Sequence, residues 1–217
     1  MYSIGVGRMQ NSSINKHASV LTDIYQEKIN VAIWQNQLSD SVINDVNNIM
    51  ENASSLRVIT ASKPDEVIQH LIESEPALNE KKDFCKYIVL LTDMFSTLFE
   101  INRVGLRLTI LDRAMCPKFH VDKVTCRLVS TFSGLATEWL PHEKVDRSKL
   151  GAGSLGIEDE KSGIMQSNKD IQLMATGDVA LLKGEGWFNN ENAGAVHRSP
   201  ALANNDRRLV LTLDVMD

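Results

Sequence analysis

The chain has 217 residues and a formal charge of -5, with 43% hydrophobic and 24% charged residues. This ordinary globular composition excludes wholesale disorder, and the mildly acidic balance argues against a general nucleic-acid binder, because such domains carry basic surfaces. Three cysteines without a CxxC pair fit a reduced cytoplasmic protein better than a disulfide-bonded one. The longest apolar run, near residues 87–91, is far shorter than the ~20 residues of a membrane span. We expect a cytoplasmic protein that binds neither nucleic acid nor a membrane.

The first half of the chain predicts a mixture of short strands and amphipathic helices. Apolar β-branched runs favour strands, and apolar residues at three-and-four spacing favour helices that pack on a core. The predicted elements are, in chain order, a strand over 29–34, a helix from an N-cap at Ser39 or Asp40 to about Glu51, a strand over 56–60, a helix opened by residues 62–66, and a long helix over about 78–102.

The second half changes to alternating polar and apolar residues. This pattern predicts strands over 105–111, 125–132, 178–182 and 207–214. Short strands separated by loops that contain glycine and asparagine are typical of an antiparallel sandwich or jelly roll. We predict an α+β fold in one domain, 1–217, with a helical and mixed part over 1–104 packed against a double-stranded β-helix (a cupin-like jelly roll) over 105–217. The long loop over about 143–168 is either a functional lid or a mobile segment.

A candidate metal site begins with His120 and Asp122 in the run CPKFHVD. On an extended strand these two side chains share one face, so both can bind one ion. His197, just before the last predicted strand, is the best candidate for a third ligand. Two histidines and one carboxylate leave coordination positions open, as in non-heme Fe(II) oxygenases. The alternative interpretation of the first pair is an exposed ion pair at a strand end.

Two arginines follow the third candidate ligand. Arg207 and Arg208 lie ten and eleven residues after His197, at the start of the last predicted strand. A buried arginine there could hold a dicarboxylate cosubstrate by a bidentate salt bridge. The alternative is a pair of surface charges at the entry to a strand.

The order of these residues resembles that of a known enzyme class. An HxD pair, a distant histidine and an arginine about ten residues later, spread over residues 105–217, resemble the Fe(II)/2-oxoglutarate-dependent dioxygenases. Over most of the chain, a longer series of motifs resembles the bacterial family named domain of unknown function 1826. These motifs are CPKFHVD…TFSGLATEWLP…GDVALLKGEGW…HRSP…RRLVLTLD. That family implies no established activity, and its members are associated with metal-homeostasis GTPases.

The resemblance to the dioxygenases implies a hydroxylase-type oxidation that uses Fe(II) and 2-oxoglutarate. It makes His120, Asp122 and His197 the metal ligands and the catalytic set. The substrate, a small molecule or a protein, is not indicated.

The same resemblance implies how the cosubstrate binds. It assigns Arg208 to the distal carboxylate of 2-oxoglutarate, with Thr212 assisting from the same strand face and Arg207, on the other face, as the fallback. The chain departs from the commonest dioxygenase pattern at Val210, where those enzymes have a serine.

A second function remains open from the sequence. Cys116 lies four residues before His120, and as a fourth ligand it would close a tetrahedral zinc site. The protein would then be a non-catalytic zinc-binding jelly roll linked to metal homeostasis. The sequence leaves the assembly open, with a homodimer among the options.

Overall fold

A computed structural model describes residues 10–216 and has an α+β architecture. The ends of the predicted 1–217 domain, residues 1–9 and 217, lie outside the described residues. The strands and helices are, in chain order, β1 (Asn11–Asn15), β2 (Ile29–Trp34), α1 (Asp40–Asn52), β3 (Arg57–Ser62), α2 (Val67–Ser74), α3 (Lys82–Phe99), β4 (Val104–Leu111), β5 (Cys126–Ser133), β6 (Glu138–Leu140), α4 (Asp159–Ser162), β7 (Gln172–Leu173), β8 (Val179–Lys183), β9 (Val196–Arg198) and β10 (Arg208–Val215).

Within the described residues, seven strands form one large sheet in the order β1-β2-β8-β5-β10-β4-β3. All neighbouring pairs are antiparallel except β1 with β2. Strands β1, β2 and β3 come from the first half of the chain, and β2 pairs with β8 while β3 pairs with β4. The predicted first part, 1–104, therefore adds strands to the sheet as well as helices against it.

One face of the large sheet packs on the helices. Alternate residues of β10, including Leu209, Leu211 and Leu213, are fully buried against a core that contains Phe84 and Phe95 of α3. Because side chains alternate across a strand, the residues between them, from Arg208 to Asp214, point to the opposite face. The helices therefore cover one side of the sheet and leave the other side free to build a site.

The opposite face packs on a smaller, three-stranded sheet of the order β7-β6-β9. Between the two sheets lies a second apolar cluster, to which Val129 and Val210 of the large sheet and Trp139 of the small sheet contribute. His120 extends the small sheet by an isolated antiparallel bridge to His197 of β9.

The predicted elements of 29–34, 105–111, 125–132, 178–182 and 207–214 match observed strands to within one residue at each end. The predicted long helix is shorter than expected, since Pro76–Glu80 forms a separate 3₁₀ turn and Glu100 ends α3 in the left-handed conformation, at φ 53°. The very short strands β6, β7 and β9 have too few residues to show a periodic pattern.

Among the described residues, none of the helices combines the length and the apolarity that a bilayer crossing requires.

We expect Leu211→Ala to lower the free energy of unfolding by about 2–5 kcal/mol, because it leaves a cavity between strand β10 and the helices. Leu211 is 0% exposed, whereas Ile59 on the edge strand β3 is 50% exposed. Urea unfolding of Leu211→Ala and of the matched control Ile59→Ala measures the difference. Equal losses in the two variants would contradict this description of the core.

Candidate metal centre and its pocket

A pair of backbone hydrogen bonds brings two of the predicted ligands together. The amide of His120 donates to the carbonyl of His197 at 3.0 Å, and the amide of His197 donates to the carbonyl of His120 at 3.0 Å. Residues paired in this way lie directly opposite each other and present their side chains on the same face of the sheet. The two imidazole ring centroids are accordingly 4.6 Å apart.

Backbone carbonyls hold both rings in the orientation that a metal site needs. His120 Nδ1 lies 2.9 Å from the carbonyl of Lys118, and His197 Nδ1 lies 3.2 Å from the carbonyl of Ala195. A carbonyl only accepts, so each Nδ1 carries the proton and, in the neutral ring, each Nε2 keeps its lone pair. This arrangement, in which the second nitrogen orients the ring, is typical of histidines that ligate metals.

Asp122 completes a cluster of three. Its carboxylate lies 3.7 Å from His120 Nε2 through Oδ1 and 3.3 Å from His197 Nε2 through Oδ2. One ligand atom from each of the three residues lies within 4.8 Å of the other two. Oδ2 is buried and has no hydrogen-bond partner. A buried carboxylate oxygen without a partner is costly, and a cation bound between the two Nε2 atoms would satisfy it.

Arg127 pairs with one carboxylate oxygen of Asp122 and leaves the other oxygen free. Its Nη1 lies 2.8 Å from Asp122 Oδ1, and its Nε and Nη2 donate to the two oxygens of Asp214 at 2.7 and 2.9 Å. The planar guanidinium thus joins the loop that carries Asp122 to strands β5 and β10. Oδ1 is occupied by this ion pair, and Oδ2 is left for a metal.

The electrostatics of the cluster favour the ionised carboxylate. Burial alone would oppose its charge, but the neighbouring imidazoles of His120 and His197 and the charge of Arg127 outweigh burial and hold the pKa of Asp122 well below its usual range. Burial also opposes charge on His120, but the nearby carboxylate of Asp122 and the hydrogen bond to the Lys118 carbonyl outweigh that effect and raise the pKa of the ring.

Two glycines allow neighbouring segments to approach this cluster closely. A Cβ on Gly184 would lie 1.9 Å from the carbonyl oxygen of Val124 and 2.7 Å from that of Asp122. A Cβ on Gly194 would lie 2.3 Å from Cγ1 of Val121. Real Cβ atoms do not approach that closely. The segment 121–124 can therefore keep its position only if residues 184 and 194 are glycines.

The long loop predicted as a lid or a mobile segment is tied to the site by Arg198. This side chain stacks on Phe119, 4.3 Å from the ring centroid, and pairs with Glu138 at 2.6 Å and with the buried Asp159 at 3.0 Å. Asp159 in turn accepts a hydrogen bond from the amide of Phe119 at 2.7 Å. The helical turn at Asp159 therefore anchors the loop beside His120.

A pocket opens between the two sheets next to the three ligands. Its wall includes His120 and His197, apolar side chains such as Val129 and Val210, and the guanidinium of Arg208. Arg208 is only 2% exposed, yet it has no carboxylate partner in the described part of the chain.

The guanidinium of Arg208 is only partly satisfied. Its Nη2 donates to Thr131 Oγ1 at 3.2 Å and to Thr137 Oγ1 at 3.4 Å, whereas Nε and Nη1 are buried without a partner. Burial lowers the pKa of Arg208 to about 10, which still leaves it charged at neutral pH. A buried cation with free donors beside a pocket is suited to binding an anion.

The remaining predicted residues occupy distinct places. Thr212 lines the same pocket as Arg208, and so does Cys116. Arg207 points away from the pocket and donates to the carbonyls of Met50 and Ala53 at the end of α1. Among the described residues, the cluster of ligand atoms does not include Cys116, whose backbone pairs with Ser199.

Sequence reasoning missed several polar residues of the site. Arg127, Thr131 and Thr137 face the pocket or its guanidinium, and Arg198 secures the loop. The sequence pattern that could have identified Arg127 and Thr131 is their alternation with apolar residues on β5. This alternation places both side chains on the face of the sheet opposite to the helices.

Comparison with models of protein families finds a match over most of the chain. The model of a family described as protein of unknown function, DUF1826, matches residues 15–214. No curated protein matches the sequence.

Among the solved structures that share the fold are two plant dioxygenases. Dioxygenase for auxin oxidation 1 from Arabidopsis thaliana, in a binary complex with 2-oxoglutarate, has a TM-score of 0.54 at 9% identity, and the match covers 96% of this chain and 92% of that one. The dioxygenase for auxin oxidation in rice has a TM-score of 0.53 at 8% identity, and the match covers 96% of this chain and 83% of that one.

We expect Arg127→Lys to weaken the binding of Mn(II) about tenfold, because lysine keeps the charge but cannot hold Asp122 and Asp214 together. Calorimetric titration of the protein with Mn(II) measures the change. The matched control is Arg57→Lys, an exposed arginine of β3. Unchanged Mn(II) affinity in Arg127→Lys would contradict the role of the Arg127 guanidinium in positioning Asp122.

Proposed function

The chain belongs to the DUF1826 family, and we propose that it is a non-heme Fe(II)- and 2-oxoglutarate-dependent oxygenase that oxidises a C–H bond of its substrate. One observation carries the proposal. A single pocket is lined both by the two histidines of a two-histidine, one-carboxylate cluster and by a buried guanidinium without a carboxylate partner.

The topology supports the proposal that the two sheets form a double-stranded β-helix. The large sheet and the small sheet enclose one apolar cluster, and the two candidate histidine ligands lie at the β9 edge of the small sheet. This is the arrangement expected of a jelly roll, in which two sheets close around a site.

The three side chains fit Fe(II). Two neutral imidazole nitrogens and one carboxylate oxygen are the facial set that non-heme iron oxygenases use, and they leave positions for cosubstrate and oxygen. The orphaned Oδ2 of Asp122 and the two Nε2 atoms would hold the metal.

The far end of the pocket fits the distal carboxylate of 2-oxoglutarate. Arg208 offers Nε and Nη1 as donors that have no partner, and Thr131 and Thr137 orient the guanidinium through Nη2. Val210, two residues along the same strand face, provides an apolar wall where the commonest dioxygenase pattern has a serine.

When bound, iron and 2-oxoglutarate supply the oxidising chemistry, which is that of the cofactor pair. The protein contributes the geometry. The carbonyls of Lys118 and Ala195 hold the rings, Arg127 holds the carboxylate, and the apolar cluster between the sheets excludes water behind the site. We also propose a cytoplasmic location, which the three free thiols support.

The zinc-binding alternative is not favoured. A closed zinc site needs a fourth ligand, and the described cluster holds three without Cys116. A closed site would also leave the buried, unpaired Arg208 without a role.

We expect Arg208→Gln to raise the dissociation constant of 2-oxoglutarate on the Fe(II)-loaded, oxygen-free protein by about 10–100-fold, because a charge-assisted pair with the carboxylate is lost. Metal binding should be retained. Calorimetry measures both constants, and succinate release in air measures turnover of the cosubstrate. His197→Ala should instead lose the metal.

Arg207→Gln is the control, since Arg207 contacts the end of α1 and not the pocket. If Arg208→Gln does not fold, Thr137→Val, which removes one hydroxyl beside the guanidinium, tests the same end of the pocket. Wild-type protein that binds Fe(II) but shows no affinity for 2-oxoglutarate would contradict the proposed cosubstrate. Tight zinc that is lost in Cys116→Ala would support the alternative.

A further inference from the structure

The pocket contains more positive charge than one dicarboxylate requires. Four arginines of the described chain line it: Arg107, Arg127, Arg198 and Arg208. Two of them are neutralised, Arg127 by Asp122 and Asp214, and Arg198 by Glu138, Asp159 and Glu160. Two guanidiniums are left without a carboxylate.

Arg208 is the first of these and is assigned to the cosubstrate by the proposed function. Arg107 is the second. Its side chain is exposed, its Nη1 contacts Met115 Sδ at 3.5 Å, and it forms no ion pair with any residue of 10–216.

Strand register separates the backbones of the two unpaired arginines along the sheet. Arg107 lies opposite Thr212 on β10, and Arg208 lies four residues before Thr212 on the same strand face. Four residues of strand correspond to about 13 Å.

Arg107 lies nearer than Arg208, along the strand, to the residues that support the metal ligands. Asp214, two residues after Thr212, pairs across the sheet with Arg127, which holds the ligand Asp122. Arg107 is thus about 7 Å along the strand direction from the row that supports the metal ligands. Leu111 and Met115 provide apolar surface on the same side of the pocket.

We propose that the substrate is a small organic anion with an apolar body, and that Arg107 binds its carboxylate or phosphate group beside the metal. The inference rests on the proposed function and deepens it by naming the substrate class. Arg107 acts as a specificity-determining residue, because a guanidinium pairs bidentately with either anion and offers a neutral compound no comparable contact.

The test uses matched six-carbon probes on protein loaded with Co(II) and 2-oxoglutarate. Hexanoate carries a carboxylate and hexyl phosphate carries a phosphate group on the same six-carbon chain. Hexanamide is the neutral isostere of hexanoate, and hexylammonium is the positively charged control. We expect at least one anionic probe to bind about tenfold or more tightly than hexanamide in calorimetry and to perturb the visible Co(II) spectrum. Whichever of hexanoate and hexyl phosphate binds more tightly identifies the group.

Arg107→Gln should remove this preference and leave the 2-oxoglutarate affinity unchanged within about twofold. Arg57→Gln, an exposed arginine on the neighbouring strand, is the matched control and should keep the preference. Equal binding of the anions and hexanamide to the wild type would overturn the inference. So would an equal loss in Arg57→Gln, or a loss of 2-oxoglutarate binding in Arg107→Gln.

The inference and the proposed function can fail separately. If the protein binds no 2-oxoglutarate, the proposed function fails, and the same probe comparison on protein loaded with Co(II) alone still decides whether Arg107 selects an anion. If 2-oxoglutarate binds and depends on Arg208, but the anionic probes gain nothing from Arg107, the substrate class alone is wrong.

Discussion

The candidate site depends on two backbone hydrogen bonds. The amide and carbonyl of His120 pair with those of His197, and this bridge aligns two rings that are far apart in the sequence. Because directly paired residues share a face, the bridge determines the separation and the direction of both imidazoles. The carbonyls two residues before each histidine then select the tautomer that leaves Nε2 open.

Around this bridge, the structure neutralises some charges and leaves others free. Arg127 occupies one oxygen of Asp122, and Arg198 connects the small sheet to the long loop through three carboxylates. Buried ion pairs of this kind are often retained for geometry, since their desolvation cost offsets much of their attraction. Arg208 and Arg107 stand outside these networks, which leaves them available for ligands.

The short strands of the small sheet explain why part of the fold escapes prediction. β9 has three residues and β7 has two, so neither can display a periodic pattern, and both are held by pairing with β6. The first strand, β1, is mostly exposed, so it shows no apolar alternation, and it is held in the sheet by pairing with β2. Long elements such as α1 and β10 were predictable, because their alternation or periodicity repeats several times.

The sequence alone determined the main strands and helices, the acidic composition, and the residue types that suit a metal site. HxD spacing predicted that His120 and Asp122 share one side of an extended segment, although the structure places Asp122 in a loop, and the position of His197 before the last strand suggested the third ligand. Local periodicity and spacing suffice for the strands, the helices and the HxD pair, since these concern residues that are near in the chain.

The tertiary structure decided which of the two adjacent arginines faces the pocket. Arg208 lies on the pocket face of β10 and Arg207 contacts the end of α1, a choice that depends on which side of the sheet the helices cover. It also decided that Arg127 and Arg198 are paired while Arg107 is free. Pairing between distant strands sets these contacts, and no spacing within one segment of the chain encodes it.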